Sequence, residues 1–155
     1  MVAPFPTDQI FLGGQWRAAS GGGLLPNENP STGEQIGALA AGGAEDIDAA
    51  VRAARTALDG PWGRMTAVER GRILARMGHE VEARIDLLAE LEALDVGKPL
   101  KQARNDVIAL ARYLEFYAGA ADKLHGETIP FQDGYTVYTL REPHGVTGHI
   151  IPWNY

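Results

Sequence analysis

The segment Glu142-Pro143-His144-Gly145-Val146-Thr147-Gly148-His149-Ile150-Ile151-Pro152-Trp153-Asn154 runs an apolar, strand-like stretch into a single side-chain amide. An amide held at the end of a buried strand can donate its N–H to a developing oxyanion, the task of donors that stabilise tetrahedral intermediates. That chemistry needs a nucleophile opposite the donor, and the chain has no cysteine. No serine or lysine has a recognisable activating partner either. The four histidines do not make a metal set. His79 sits in a helical pattern, His125 adjoins a glycine, and His144 and His149 lie near the end strand without an i, i+4 pair or an acidic third ligand. Taken as residues alone, Ile150 and Ile151 read as core and Trp153 as packing.

The elements that must position this amide follow from periodicity. Ile10-Phe11-Leu12 and Gln15-Trp16-Arg17 flank Gly13-Gly14, the signature of a tight hairpin. Ala19 to Gly23 reads as a loop, and Asn29-Pro30-Ser31-Thr32-Gly33 as a turn. Residues 45–59 carry Ile47, Ala50, Val51, Ala54 and Leu58 at helical spacing, ended by Gly60-Pro61. Thr66-Ala67-Val68-Glu69 is a capping box opening a helix with the stripe Ile73, Leu74, Met77 and Val81. Leu87, Leu88, Leu91 and Leu94 lead to Gly97 as a helix C-cap, and Pro99 suits the first turn of a helix carrying Val107, Leu110, Ala111, Leu114, Tyr117, Ala118 and Ala121. Tyr135 to Arg141 alternates as a strand, and Gly145 to Ile151 reads as a second strand covered on both faces.

At 155 residues the chain is about one domain long, enough to bury roughly 68–70% of its unfolded surface. The balance of 45% apolar and 22% charged residues is that of an ordinary globular protein. A net charge of −6 without a long basic run argues against a nucleic-acid backbone as partner. The start, Met1 to Asp8, lacks the basic and apolar regions of a signal peptide, and no apolar stretch approaches the ~20 residues of a bilayer span. The absence of cysteine excludes a disulfide scaffold, and a cytoplasmic setting is the expectation. Asn29-Pro30-Ser31 is not a glycosylation acceptor because proline fills its middle position. A both-faces-covered strand belongs to a parallel sheet whose crossover helix would have to follow Tyr155, so the sequence is expected to be the N-terminal third of a larger protein.

Four motifs in order resemble the NAD(P)-dependent aldehyde dehydrogenase family: Asn29 to Glu34, Leu91 to Pro99, Tyr117 to Gly126, and Glu142 to Tyr155. The resemblance is collinear from about Ile10 onward and covers the first third of a family member. It implies an α/β fold: a hairpin, several helices, an oligomerisation strand arm and the first strand of a Rossmann-like cofactor domain. The division it implies is 1–134 for the N-terminal part of the cofactor domain, 135–143 for the arm and 144–155 for the truncated first strand. It implies oxidation of a small-molecule aldehyde to a carboxylic acid with NAD or NADP, through a thiohemiacetal and thioester on a cysteine that this chain lacks. Asn154 matches the family's oxyanion asparagine, and Ile150, Ile151, Pro152 and Trp153 match positions lining the cofactor's ribose and nicotinamide. Tyr155 matches an aromatic wall of the substrate tunnel, and Asn105, Asp106 and Leu110 lie on the helix facing it, although Asp106 also suits a solvated helix face. Asp95 matches a position near a structural monovalent cation; a salt-bridged aspartate near a helix C-terminus is the competing view. Tyr135 to Glu142 matches the arm that extends sheets between subunits of a homo-oligomer, with a strand paired inside one subunit as the alternative. A non-catalytic module that pairs with full-length subunits and an unrelated helical binding domain are the other functional readings. The isolated chain is expected to be inactive.

Overall fold

Two glycines in the left-handed region, Gly13 at φ 61° and Gly14 at φ 85°, close the first hairpin as expected. It pairs β1 (Ile10–Leu12) with β2 (Gln15–Arg17) in the register Phe11↔Trp16. Trp16 packs its ring against Phe11 and stacks on Phe5, with centroids 5.1 and 6.1 Å away. The structure is a computed structural model that describes residues 5–152 and Asn154.

The turn at Asn29 also forms, with the Asn29 side-chain oxygen accepting from the Ser31 N–H and the Asn29 carbonyl from the Gly33 N–H. It joins two strands absent from the sequence expectations, β3 (Leu24–Glu28) and β4 (Gln35–Ala40), which pair antiparallel with an irregularity at Asn27/Glu28. Pro26, Asn27 and Gly37 are poor strand formers, so these strands are set by their pairing rather than by propensity.

The helices are α1 (Ala44–Asp59), the short α2 (Pro61–Arg64), α3 (Ala67–Glu82), α4 (Ile85–Val96) and α5 (Leu100–Ala120). Asp46, at the third position of α1, is buried and ties that helix to the first hairpin. Its carboxylate accepts from the Ser20 N–H and hydroxyl, the Gly43 N–H and the Arg17 guanidinium. These bonds, led by the one from the Gly43 N–H, hold its pKa below the usual carboxylate range. The capping box forms as read: Thr66 Oγ1 accepts from the Glu69 N–H while the Glu69 carboxylate accepts from the Thr66 N–H at 2.7 Å. Gly97 ends α4 at φ 70°.

Helix α5 is the spine. The buried residues Ala89, Ala103 and Val107 join α4 to α5, with Val81 of α3 against them. Along α3, Gly71 and Gly78 face α5 two turns apart. A Cβ on Gly71 would stand 2.6 Å from the Ala118 carbonyl oxygen, and one on Gly78 would stand 3.3 Å from that of Ala111. The matching separations, seven residues up α3 and seven down α5, show that the helices run antiparallel at glycine-limited distance.

After α5 the chain forms one small ladder, β5 (Thr128–Ile129) with β6 (Val137–Tyr138). The strand expected over Tyr135 to Arg141 is therefore short, and its partner lies within the same chain. The strand expected over Gly145 to Ile151 is not formed: these residues have no regular secondary structure. A strand needs a neighbour to satisfy its backbone, none pairs with this segment among the described residues, and Gly145 turns the chain at φ 97°. The mixed helix-and-strand class is as expected. Among the described residues no helix is long and apolar enough to cross a membrane.

Helix propensity favours alanine over glycine, yet Gly71→Ala should destabilise by about 1–3 kcal/mol through overpacking. Gly119→Ala, where the new methyl meets nothing within 4 Å, should instead stabilise, by about 0.5–1 kcal/mol. Amide hydrogen exchange across α3 and α5 reads both; protection that rises in Gly71→Ala would contradict the close crossing.

Candidate active site

Asn154 lies in a turn with an exposed side chain, at the end of a segment that packs against little. Ile150 is 100% and Ile151 80% exposed, and Pro152 is exposed beside them. The reading of these isoleucines as core is thus overturned: the two side chains have no apolar neighbours to bury them. Trp153 and Tyr155 lie outside the described residues. What the structure presents is an uncovered apolar strip leading to an amide donor.

A second group of expected site residues meets at the corner between α4 and α5. The Lys98 ammonium, 13% exposed, donates to Glu92 of α4 and Asp106 of α5, each at 2.5 Å. Gln102, one turn before Asp106, donates to its other carboxylate oxygen at 3.0 Å. Asp106 is therefore not a solvated helix face but half of an ion pair. Lys98, then Gln102, hold its carboxyl below the usual range. The bonds to Asp106 and then Glu92 raise the pKa of Lys98 above that of a free lysine. Beside this cluster Glu92, Asp106, Val107, Ala109, Leu110 and Tyr113 line an open, mostly apolar concavity of about 280 Å³. Leu110 and Asp106 thus share one wall, while Asn105 is exposed.

Lys98 and Glu92 were missed as a pair by the sequence reading. A signal existed: Lys98 immediately precedes Pro99, the N-cap of α5, where the helix dipole disfavours a cation. A lysine kept there needs carboxylate partners of its own.

Asp95, in the last turn of α4, accepts from the Asn27 amide at 2.7 Å and makes no ion pair among the described residues. With Gly97 against Pro30, this bond fixes the α4–α5 corner to the β3–β4 turn. Among the described residues no three His, Asp or Glu side chains group to hold a metal ion.

The pH dependence of the corner follows from these shifts. Asp106 has a folded value below its ordinary 3.8, so its contribution is present above that pH and is lost as pH falls through the lowered value. Lys98 is raised above 10.5, so its contribution persists below that pH and is lost as pH rises through the raised value. Lys98→Met leaves two carboxylates facing each other without their cation. Hydrogen exchange in the first turns of α5 should accelerate at neutral pH, and the defect should shrink as acid protonates the carboxylates. Lys98→Arg should retain protection, and a Lys98→Met defect indifferent to pH would show that the lysine acts by packing alone.

Comparisons with known proteins agree on one family. The profile of the aldehyde dehydrogenase family matches residues 16–155. The chain is 48% identical over 149 residues to the Arabidopsis thaliana aldehyde dehydrogenase family 2 member B4, mitochondrial, covering 95% of this chain and 28% of that protein. In structure it resembles a putative aldehyde dehydrogenase from Burkholderia cenocepacia, with TM-score 0.91 and 59% identity over 94% of this chain and 31% of that one. The NAD+ complex of the Bacillus cereus aldehyde dehydrogenase follows with TM-score 0.85 and 38% identity, over 89% of this chain and 28% of that one. The chain thus spans less than a third of each of these relatives. On a match that runs through nearly all of its length, this chain belongs to the aldehyde dehydrogenase family.

Proposed function

We propose that this chain supplies the oxyanion donor and part of the cofactor and substrate walls of an enzyme that oxidises an aldehyde to a carboxylic acid with NAD or NADP. One observation carries the reading: the family match extends through Asn154, the amide that follows the exposed Ile150-Ile151-Pro152 strip.

In the proposed reaction a thiolate adds to the aldehyde carbon and the carbonyl π electrons move to oxygen. The Asn154 Nδ2–H donates to that oxygen as its charge develops, which lowers the barrier without needing the amide to change protonation state. NAD(P)+, when bound, accepts the hydride that leaves the same carbon. Ile150, Ile151, Pro152 and Trp153 would hold the nicotinamide and ribose by apolar contact and keep water from them. Hydrolysis of the resulting thioester uses a water activated by a carboxylate base. The chain has no cysteine, so the thiolate comes from sequence other than these residues. On the substrate side Tyr155 and Leu110 contribute apolar wall. Asp106, its charge committed to Lys98 and Gln102, contributes by holding α5 in place rather than as a free anion.

The three-part division at 134 and 143, a homo-oligomer built through Tyr135 to Glu142 and a cytoplasmic setting belong to the same proposal. Exposed Tyr135, Tyr138 and Leu140 support the arm. Asp95, already bound to Asn27, would need to turn toward a monovalent cation to ligate it. The setting rests on composition, the chain having no cysteine, whereas the Arabidopsis relative carries a mitochondrial name.

The purified 155-residue chain should reduce no NAD+ or NADP+ with any aldehyde of a broad panel. In a complete enzyme carrying this segment, Asn154→Ala should lower kcat by about 10²–10³ with cofactor affinity unchanged. Turnover by the isolated chain, or an unaltered kcat in the variant, would overturn the assignment.

A further inference from the structure

Among the described residues Asp46 is the buried charged side chain, 3% exposed, and every group bonded to its carboxylate is a donor. Oδ1 accepts from the Arg17 guanidinium at 3.2 Å and from the Ser20 N–H at 3.1 Å. Oδ2 accepts from the Gly43 N–H, the Ser20 hydroxyl and the same Ser20 N–H, each at 3.0 Å. Of these donors the Ser20 hydroxyl alone can reverse its role and accept. A proton on Oδ1 would point at N–H groups. One on Oδ2 would be taken by the Ser20 hydroxyl at the expense of the bond from the Gly43 N–H. The site therefore suits the carboxylate and opposes the carboxylic acid.

The donors come from separate pieces of the chain. Arg17 ends β2, Ser20 lies in the loop after it, and Gly43 stands at the N-cap of α1. Among the described residues, one other hydrogen bond leads from residues 5–20 to a later strand or helix, from the Ala40 N–H to the Thr7 carbonyl. We infer that the first hairpin is an acid-released arm, latched to α1 by the ionised Asp46 carboxylate and freed when that carboxylate takes a proton. Arg17 is the charged group that meets Asp46. Strand β1, residues 18–23 and residues 41–43 carry no titratable side chain, and Glu45 and Asp48 on α1 are exposed. The bonds to the carboxylate, that of the Gly43 N–H first, set its pKa below the ordinary 3.8. The latch is thus closed above that pH and opens as pH falls through the lowered value. Release is local, because the Ala89–Ala103–Val107 core of α4 and α5 takes no residue from the hairpin. The inference goes beyond the chemistry at Asn154 and does not depend on it.

The test is amide hydrogen exchange in the complete enzyme carrying this segment, corrected for the intrinsic rate at each pH. As the wild-type enzyme is acidified, β1 and β2 should lose protection ahead of α5. Asp46→Asn has nearly the same shape, but either amide orientation sets its NH2 against an N–H donor. At neutral pH it should speed exchange in β1 and β2 by about tenfold or more while α5 keeps its protection, and acid should add little to that release. Ser20→Ala keeps the carboxylate and its N–H donors, so its effect at neutral pH should be smaller and the acid release should persist. Loss of protection in the hairpin and α5 together on acidification would overturn the latch, as would an Asp46→Asn hairpin protected like the wild type. Should Asp46→Asn fail to fold, the wild-type acid series decides alone.

Discussion

The crossing of α3 over α5 is the constraint on which the other placements depend. Two backbones approach until only hydrogen fits at Gly71 and is comfortable at Gly78. That closeness brings Val81 of α3 onto the Ala89–Ala103–Val107 cluster, so that three helices share a core made of small side chains. Core residues this small give little hydrophobic stabilisation each, and their value lies in geometry: they let α5 be held on two sides at once.

The second fixed point is the corner between α4 and α5, where polar contacts take over from packing. The αL glycine Gly97 reverses the chain, Lys98 clamps a carboxylate from each helix, and Asp95 reaches back to Asn27 on β3. A part-buried cation shared by two carboxylates is a poor source of net stability but a strict one of geometry, because removing the cation leaves two carboxylates facing each other unpaired. Its consequence for function is rotational. With Asp106 held, Leu110 one turn further along α5 is aimed at the concavity beside it.

How much of this was legible in the sequence varied with the range of the interaction. Local devices were readable: Gly13-Gly14, the Thr66/Glu69 box, Gly97 and Pro99 each encode their geometry within a few residues. Pairings made at a distance were not. Strands β3 and β4 contain Pro26, Asn27 and Gly37, so only their mutual ladder makes them strands. The apolar run from Gly145 to Ile151 gave the opposite error, a strand signal with no neighbour to complete it. Gly71 and Gly78 look unfavourable inside a helical pattern until Ala118 and Ala111 are seen across the crossing. The amide at Asn154 was visible in sequence, but the exposure of Ile150 and Ile151 was not, and the Lys98–Asp106 pair needed the helices in place.

What the fold holds rigid and what it leaves uncovered divide cleanly. Helices α3, α4 and α5 and the corner at Lys98 are held by contacts of their own, whereas Ile150, Ile151 and the aromatic side of α5 are exposed. An oxyanion donor works only when its direction is set before charge develops. Under the proposed function, the direction of the exposed Asn154 amide is what must be fixed. The most direct test is a crystal structure of the complete enzyme carrying this segment, with NAD+ bound and an aldehyde captured on its thiol. The account expects Asn154 Nδ2 about 2.7–3.1 Å from the former carbonyl oxygen. An Asn154 side chain turned away from that oxygen, with other donors filling its place, would contradict it.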